Sequence, residues 1–362
     1  MKIVVPDYYK DFKCIAGACE DTCCAGWEVD VDEDSFRRYK SVTGDLGKRL
    51  ADVMIPKEEG EGCTFRLTPD KRCPFLNEKN LCDIYTELGE SALCETCTYF
   101  PRFVHDYGSV REIGPAPSCF TAAQLMVNRT DRTALESYED PSVLVCPNDI
   151  DPDSYFLLKS FREKAFNILW EDSGEKALSD LPERIIRILE EAMEVQKREI
   201  GSCVKGDDLP ALWLSPFDGM EVINNDWNVL LNEHESLCKA AADVGMRRFY
   251  ESFTKKVTFA EEAFRQLVFY YLYRYVLEAV HDGRLLCAVK TAAVAYVSVK
   301  RLCVARFFVR GGLDRDEMAD IFHLYSRQIE HSDVNFEFYR EAYDTKQEYG
   351  IDAINKALGD SV

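Results

Sequence analysis

Between Cys14 and Cys24 the chain reads Cys-Ile-Ala-Gly-Ala-Cys-Glu-Asp-Thr-Cys-Cys, four cysteines in eleven residues. Six more follow at Cys63, Cys73, Cys82, Cys94, Cys97 and Cys119, so ten of the fifteen cysteines fall in the first 119 of 362 residues. Thiolates bind soft metal ions and iron–sulfur clusters tightly, and in a small module that binding energy becomes folding energy. The density predicts an N-terminal third organised by a thiolate-bound metal or cluster, with the rest of the chain built onto it. The other five, Cys146, Cys203, Cys238, Cys287 and Cys303, stand singly and read as small buried hydrophobes.

Disulfides fit this pattern poorly. The opening Met-Lys-Ile-Val-Val-Pro-Asp-Tyr-Tyr-Lys has no apolar core of a signal peptide, and a cytoplasmic location is expected. Thiols there stay reduced, and the cysteine count is odd. The longest apolar stretch, Leu285 to Val309, carries Lys290, Lys300, Arg301 and Arg306, so no membrane insertion is expected. A net charge of −20 argues against nucleic acid, whose phosphates need a surplus of Lys and Arg. It suits a basic, lysine-bearing partner, although solubility alone also accounts for it.

The element pattern changes along the chain. The first part is loop-rich: a short strand at Trp27–Val31, a capped helix at Asp32–Tyr39, and a tight turn between Phe75-Leu76 and Leu81-Cys82. Helical turns follow at Asp83–Leu88 and Ala92–Cys97, then a hairpin of Arg102–His105 and Ser109–Ile113 around Asp106-Tyr107-Gly108, with His105 at an exposed tip. After the prolines at 141, 147 and 152 the spacing is helical: Ser154–Asp172, Asp180–Arg198, Asp226–Lys255, Phe259–His281, Arg284–Arg310, Asp314–His331 and Asn335–Leu358. Ser202–Pro216 reads as irregular. The reading is a mostly α protein with a cysteine module at 1–125, a linker at 126–153 and a helical domain at 154–362. The aromatic run Phe269–Tyr275 is read as core packing rather than a cofactor floor.

The cysteine spacings are C-x4-C-x3-C-C, then C-x9-C-x8-C-x11-C-x2-C from Cys63 to Cys97. Adjacent Cys23 and Cys24 do not readily face one ion, so one of them is a ligand at a second site or a buried thiol. Cys94-Glu-Thr-Cys97 has the spacing with which two thiolates grip one tetrahedral ion or cluster corner. His105 is the only histidine before residue 234, so the ligands are all sulfur, for a zinc ion or an iron–sulfur cluster. The ferredoxin run C-x2-C-x2-C and the C-x3-C-x2-C loop of radical S-adenosylmethionine enzymes are absent; Gly26 stands where the last cysteine of the latter belongs. No Ser-His-Asp arrangement, P-loop or G-x-G-x-x-G follows a strand. His234, His281, His323 and His331 fall on helical patterns and read as core or surface residues.

Four stretches in combination resemble the flagellin lysine-N-methylases, within a wider group of cysteine-rich zinc- or iron-chelating proteins. They are Val5-Pro-Asp-Tyr-Tyr-Lys-Asp-Phe-Lys-Cys14, the Cys14–Cys24 knot with Gly26-Trp27, Cys73-Pro-Phe-Leu with Leu81-Cys82-Asp-Ile-Tyr85, and Leu93-Cys94-Glu-Thr-Cys97-Thr-Tyr-Phe-Pro-Arg102. Ser118-Cys119-Phe-Thr-Ala-Ala-Gln-Leu125 is similar to the family's last cysteine block, with Phe120 where a proline is more usual. Cys63 matches no block. The resemblance covers about the first 125 residues.

The resemblance implies methyl transfer from S-adenosylmethionine to lysine side chains of flagellin. It also implies a metal centre, an iron–sulfur cluster (4Fe-4S) or zinc, held among Cys14, Cys19, Cys23, Cys24, Cys73, Cys82, Cys94, Cys97 and Cys119. The alternative is a non-catalytic metal-carrying interaction module; a thiol redox protein working through Cys94 and Cys97 is a third class. Methylation needs a neutral amine, and a free lysine titrates near about 10.4, so desolvation and a proton acceptor must help. Asp83, Tyr85 and Tyr99 are candidates, with Tyr99 preferred. The expected place is a groove between module and helical domain, acidic at its mouth and aromatic within.

Overall fold

Lys2–Pro6 alternates, with Ile3 and Val5 buried, and forms strand β1. In the computed structural model, which describes residues 1–19, 21–26, 29–58, 60–143, 149–171, 180–201, 217, 220–223, 225–345 and 350–359, β1 is an inner strand. The hairpin strands β5 (Arg102–Tyr107) and β6 (Val110–Pro115) pair antiparallel, and β6 runs parallel to β1 with Ile3 opposite Arg111. Strand β7 (Leu135–Glu139) closes the other side, antiparallel, with Ile3 opposite Tyr138, giving the order β5-β6-β1-β7. The hairpin was expected from sequence; β1 and β7 were not. His105 is within β5, opposite Glu112, and largely buried. This corrects its reading as an exposed tip residue: the turn begins two residues later.

A second sheet, smaller, has the order β2-β4-β3, from Asp30–Val31, Cys63–Phe65 and Met54–Pro56. Trp27 and Glu28 of the expected strand lie outside the described residues. Helix α1 (Glu33–Lys40) starts where Asp32 accepts from the Ser35 N–H at 2.8 Å, the cap its sequence announces. Helix α2 (Gly44–Val53) follows, then α3 (Asp83–Leu88) and α4 (Glu95–Tyr99), so the expected turn at Ala92–Cys97 sits slightly later in the chain. An isolated bridge between Leu76 and Cys82 closes the expected turn. Val29, Val31, Phe36, Leu46, Leu50, Phe65, Phe75 and Ile84 form a small core beneath these elements.

The large core belongs to the helices and the first sheet together. Helix α5 (Phe120–Asn128) leads to α6 (Pro152–Leu169) and α7 (Leu181–Val195), which winds into a wider turn at Gln196–Ile200. Ser202–Pro216, with Cys203, and Cys146 lie outside the described residues. The helix expected at 226–255 is two, α8 (Asn225–Val244) and α9 (Arg247–Lys256), because Gly245 takes φ +83° and cannot carry an α-helix through. Likewise 259–281 divides into α10 (Ala260–Tyr275) and α11 (Ala279–Asp282), and 335–358 into α14 (Asp333–Thr345) and α15 (Ile351–Gly359).

Helix α12 (Leu285–Arg310) is buried on all sides over most of its length, as the centre of a bundle must be. Its charges are satisfied inside the protein. Lys290 donates to the Tyr343 carbonyl at 2.9 Å, Lys300 to the Tyr296 hydroxyl at 2.8 Å, and Arg306 to Glu233 at 2.9 Å and Asp320 at 2.8 Å. Such partners make charged side chains tolerable in a core. No described helix is long and apolar enough to cross a membrane. Helix α13 (Arg315–Glu330) opens on a capping box formed by Asp314 and Glu317. The aromatic run of α10 is core: Phe269, Tyr270, Tyr271 and Tyr273 are each 1% exposed. Cys287 and Cys303 are buried as expected, but Cys238 is exposed, being on the outer side of α8.

Candidate functional site

Each of the nine cysteines singled out from sequence is a thiol, outside any disulfide. The knot runs as a loop with a short 3-10 turn at Ala16–Ala18, where the Ala16 N–H donates to Cys14 Sγ at 3.3 Å. Cys19 Sγ donates to the Asp21 carbonyl at 3.0 Å. The loop leaves along residues 71–73: the Cys73 N–H donates to the Cys24 carbonyl at 2.7 Å and Gly26 N–H to the Lys71 carbonyl at 2.8 Å. Four of the five later cysteines stand at helix starts. Cys82, Cys94 and Cys119 precede the first turns of α3, α4 and α5, and Cys97 lies within the first turn of α4. Backbone N–H groups point at sulfur there, which favours thiolates.

Two sulfur pairs share a hydrogen bond. The bond from Cys23 brings the Cys24 thiol down to about 7, against its burial and with help from Thr22 and Arg72, and holds Cys23 up. The bond with Cys97 likewise lowers Cys94 and raises Cys97. Burial pushes Cys73 up to about 12 and raises Cys19, Cys82 and Cys119. Cys63, left aside on sequence grounds, is fully buried in the small core, where burial raises it to about 11.

The donor set suits a soft metal or an iron–sulfur cluster in its chemistry: sulfur only, partly shielded from water, with thiols already sharing protons. Among the described residues, no three Cys, His, Asp or Glu side chains form a ready ligand shell around a single point.

The knot is fixed to the helical core by contacts absent from the sequence reading. Asp21 Oδ2 lies 2.5 Å from His323 Nε2 and 2.6 Å from Arg327 Nη1, and Arg327 Nη2 donates to the Ala25 carbonyl at 2.5 Å. Burial alone would raise the Asp21 carboxyl, but the His323 hydrogen bond and the Arg327 charge outweigh it and bring it to about 2. A side chain at Gly26, where φ is +89°, would place Cβ 3.1 Å from Arg327. The one available signal was the i, i+4 spacing of His323 and Arg327, which puts both on one face of α13.

Tyr99 ends α4 and is 39% exposed. Its ring lines a cavity of about 450 Å³ together with Asp32, Asp34, Arg38, Glu95 and Thr98. The cavity lies between α1 and α4, within the cysteine-rich region. A groove between the two regions was the expectation; at that junction the structure has the packed Asp21–His323–Arg327 contact. Of the other candidates, Asp83 pairs with Arg49 at 2.8 Å and Tyr85 is 49% exposed.

Comparison with known proteins adds what geometry does not. The chain is 27% identical over 149 residues to the flagellar biosynthetic protein FliU of Salmonella muenchen, 39% of this chain and 88% of that protein. It is 27% identical over 137 residues to the lysine-N-methylases of Salmonella choleraesuis and Salmonella typhimurium, covering 37% of this chain and 34% of each of theirs. The matched part thus spans about a third of the length of those two methylases. No solved structure matches. A family model, the FliB lysine N-methylase C-terminal domain, matches residues 156–356, which is the helical bundle from α6 to α15 that carries the cysteine knot on α13. The chain belongs to the FliB lysine N-methylase family.

Proposed function

We propose that the protein methylates lysine side chains of a flagellar protein, flagellin, with S-adenosylmethionine as donor and a thiolate-bound centre, iron–sulfur or zinc, in its cysteine-rich region. The observation that carries this reading beyond family membership is the acidic cavity beside the cysteines. Asp34, Glu95 and Tyr99 line it, and α4 supplies both Tyr99 and Cys97.

A cationic lysine is drawn to such a mouth by Asp34 and Glu95. Inside, Leu93 and the Tyr99 ring replace water around the amine, which favours its neutral form. The proton leaves to Glu95 or, through Tyr99, to solvent. The amine lone pair then attacks the sulfonium methyl: the N–C bond forms, the S–C bond breaks, and S-adenosylhomocysteine departs. The cysteine-rich region holds the thiols and the cavity, and the helical bundle, which shares its core with the first sheet, supports it. A cytoplasmic location supplies both the donor and unassembled substrate.

The test is direct. Anaerobically purified protein is incubated with S-adenosylmethionine and unmodified flagellin, and lysine methyl groups are counted by mass spectrometry. Added methyl groups support the reading. Their absence with an intact metal content leaves a metal-carrying interaction module in its place.

A further inference from the structure

We propose that the outer edge of β7 is a docking strand for the protein substrate, pairing with an extended, lysine-bearing segment of it and so lengthening the first sheet. This rests on the methylation reading above and adds a place, apart from the cavity, where the substrate is held.

The register fixes which backbone groups are free. The Met1 ammonium donates to the Asp140 carbonyl at 2.9 Å, and the Asp140 N–H returns a bond to the Met1 carbonyl at 2.9 Å. At the other end the Asp7 N–H donates to the Ala134 carbonyl at 2.9 Å. Bonding alternates along an antiparallel pair, so Glu136 and Tyr138 also face β1. Leu135, Ser137 and Glu139 therefore turn their N–H and C=O groups outward. Strand β7 is last in the order β5-β6-β1-β7, and among the described residues no strand pairs with its outer side. All its residues but Leu135 are exposed. Proline, a bulge or lysine ordinarily blunts such an edge, and Leu-Glu-Ser-Tyr-Glu, in unbroken register, has none of them.

Side chains select the partner. Glu136 and Tyr138 stand on one face and Glu139 on the other, and the Tyr138 side chain is 51% exposed. A carboxylate and a ring two residues apart suit a lysine of the facing strand, its ammonium on the acid and its stem along the ring. Glu136 also reaches Lys10 at 3.6 Å, but the two side chains are 54% and 69% exposed. A pair so exposed is weak and yields to a better-placed cation. A second β7 in the same place would gather glutamates from both copies at one seam, in chains that each carry a net charge of −20. The edge fits a basic strand and repels its own copy.

The test uses the full-length protein with unmodified flagellin. Amide exchange at residues 135–139 is followed by NMR with and without flagellin, and methyl transfer is assayed for the native protein, Ser137→Pro and Glu139→Lys. The Ser137 N–H points outward, so proline there removes one docking bond and spares the ladder to β1. Loss of one backbone hydrogen bond should raise KM about fivefold and leave kcat within about twofold. Glu139→Lys should also raise KM and weaken the salt dependence of kcat/KM. Flagellin should slow exchange at Leu135, Ser137 and Glu139, and leave Glu136 and Tyr138, already bonded to β1, unchanged. Methylation with native KM in both variants, and no added protection, overturns the docking strand while the methylation reading stands. Protection without methylation keeps the docking strand and removes that reading, and absence of both overturns both. Outward amides that become protected as the protein alone is concentrated assign the edge to a second copy and overturn the proposal. Should Ser137→Pro fail to fold, Glu139→Lys and the exchange pattern of the native protein decide.

Discussion

Asp21 Oδ2 and His323 Nε2 lie 2.5 Å apart, joining a loop of the cysteine knot to a helix 302 positions later in the chain. Arg327 binds the same oxygen at 2.6 Å, so one carboxylate carries the charge that two bundle residues face. Asp21→Asn keeps the shape and removes the charge. Charge-assisted hydrogen bonds contribute about 1.5–3 kcal/mol, and Asp21 is partly exposed, so the lower end is expected. Urea unfolding should show that loss, and hydrogen exchange across residues 14–26 should rise while α12 stays protected. Unchanged exchange in the knot would show that the clasp does not hold it.

Arg162 and Glu112 form a bidentate pair at 2.6 and 2.7 Å, both side chains 3% exposed, between α6 and the first sheet. Glu112→Gln strands a buried guanidinium and should cost about 3–5 kcal/mol. Replacing both by apolar residues, Arg162→Met with Glu112→Leu, should cost clearly less, since no charge is left unpaired. Thermal melts of the three variants rank these outcomes, and equal losses would contradict the argument.

His331 sets its ring against Phe100, with centroids 5.4 Å apart. Its burial, then the positive charges of Arg274 and Arg327 and of nearby His323, press its pKa from 6.5 to about 3. Between these values the unfolded chain takes up a proton that the native state refuses. Stability present above about pH 6.5 is therefore lost as pH falls toward 3. His331→Gln should flatten that part of the stability profile, read as the difference between variant and native urea midpoints from pH 7.5 to 4. Parallel profiles would remove His331 as a cause.

Cavity residues should separate binding from chemistry. Tyr99→Phe is expected to lower kcat by about 10²-fold if its hydroxyl carries the proton, as general-base contributions run, with KM little changed. Asp34→Lys should instead raise KM and weaken the salt dependence of kcat/KM, because it reverses a charge at the mouth. Steady-state assays on flagellin at two ionic strengths distinguish them. A Tyr99→Phe enzyme with native kcat would exclude that hydroxyl.

The helical half was legible because burial against neighbours on one face imposes three/four spacing, and its breaks at Gly245 and Gly311 carry φ of +83° and +78°. Gly245 does not announce its break in sequence, because a single glycine inside a helical pattern is tolerated at a modest cost. Strand β1 was not legible: five residues acquire their state from partners at 110–112 and 135–139 that no local pattern names. His323 reads as a core or surface residue; it is buried, and its partner Asp21 is fixed only by tertiary packing. The cysteine motifs carried the resemblance, whereas the family domain matches the helices, where packing constrains residue class more than identity.

The central place of β1 in its sheet sets an order of events during synthesis. Its flanking strands begin at Val110 and Leu135. A ribosome adds about 5–20 residues per second, so Lys2–Pro6 waits on the order of ten seconds for its second neighbour. All ten cysteines from Cys14 to Cys119 emerge in that interval. The nascent chain therefore presents these ten thiols to a metal donor, or to an oxidant, before the sheet of β1 has closed.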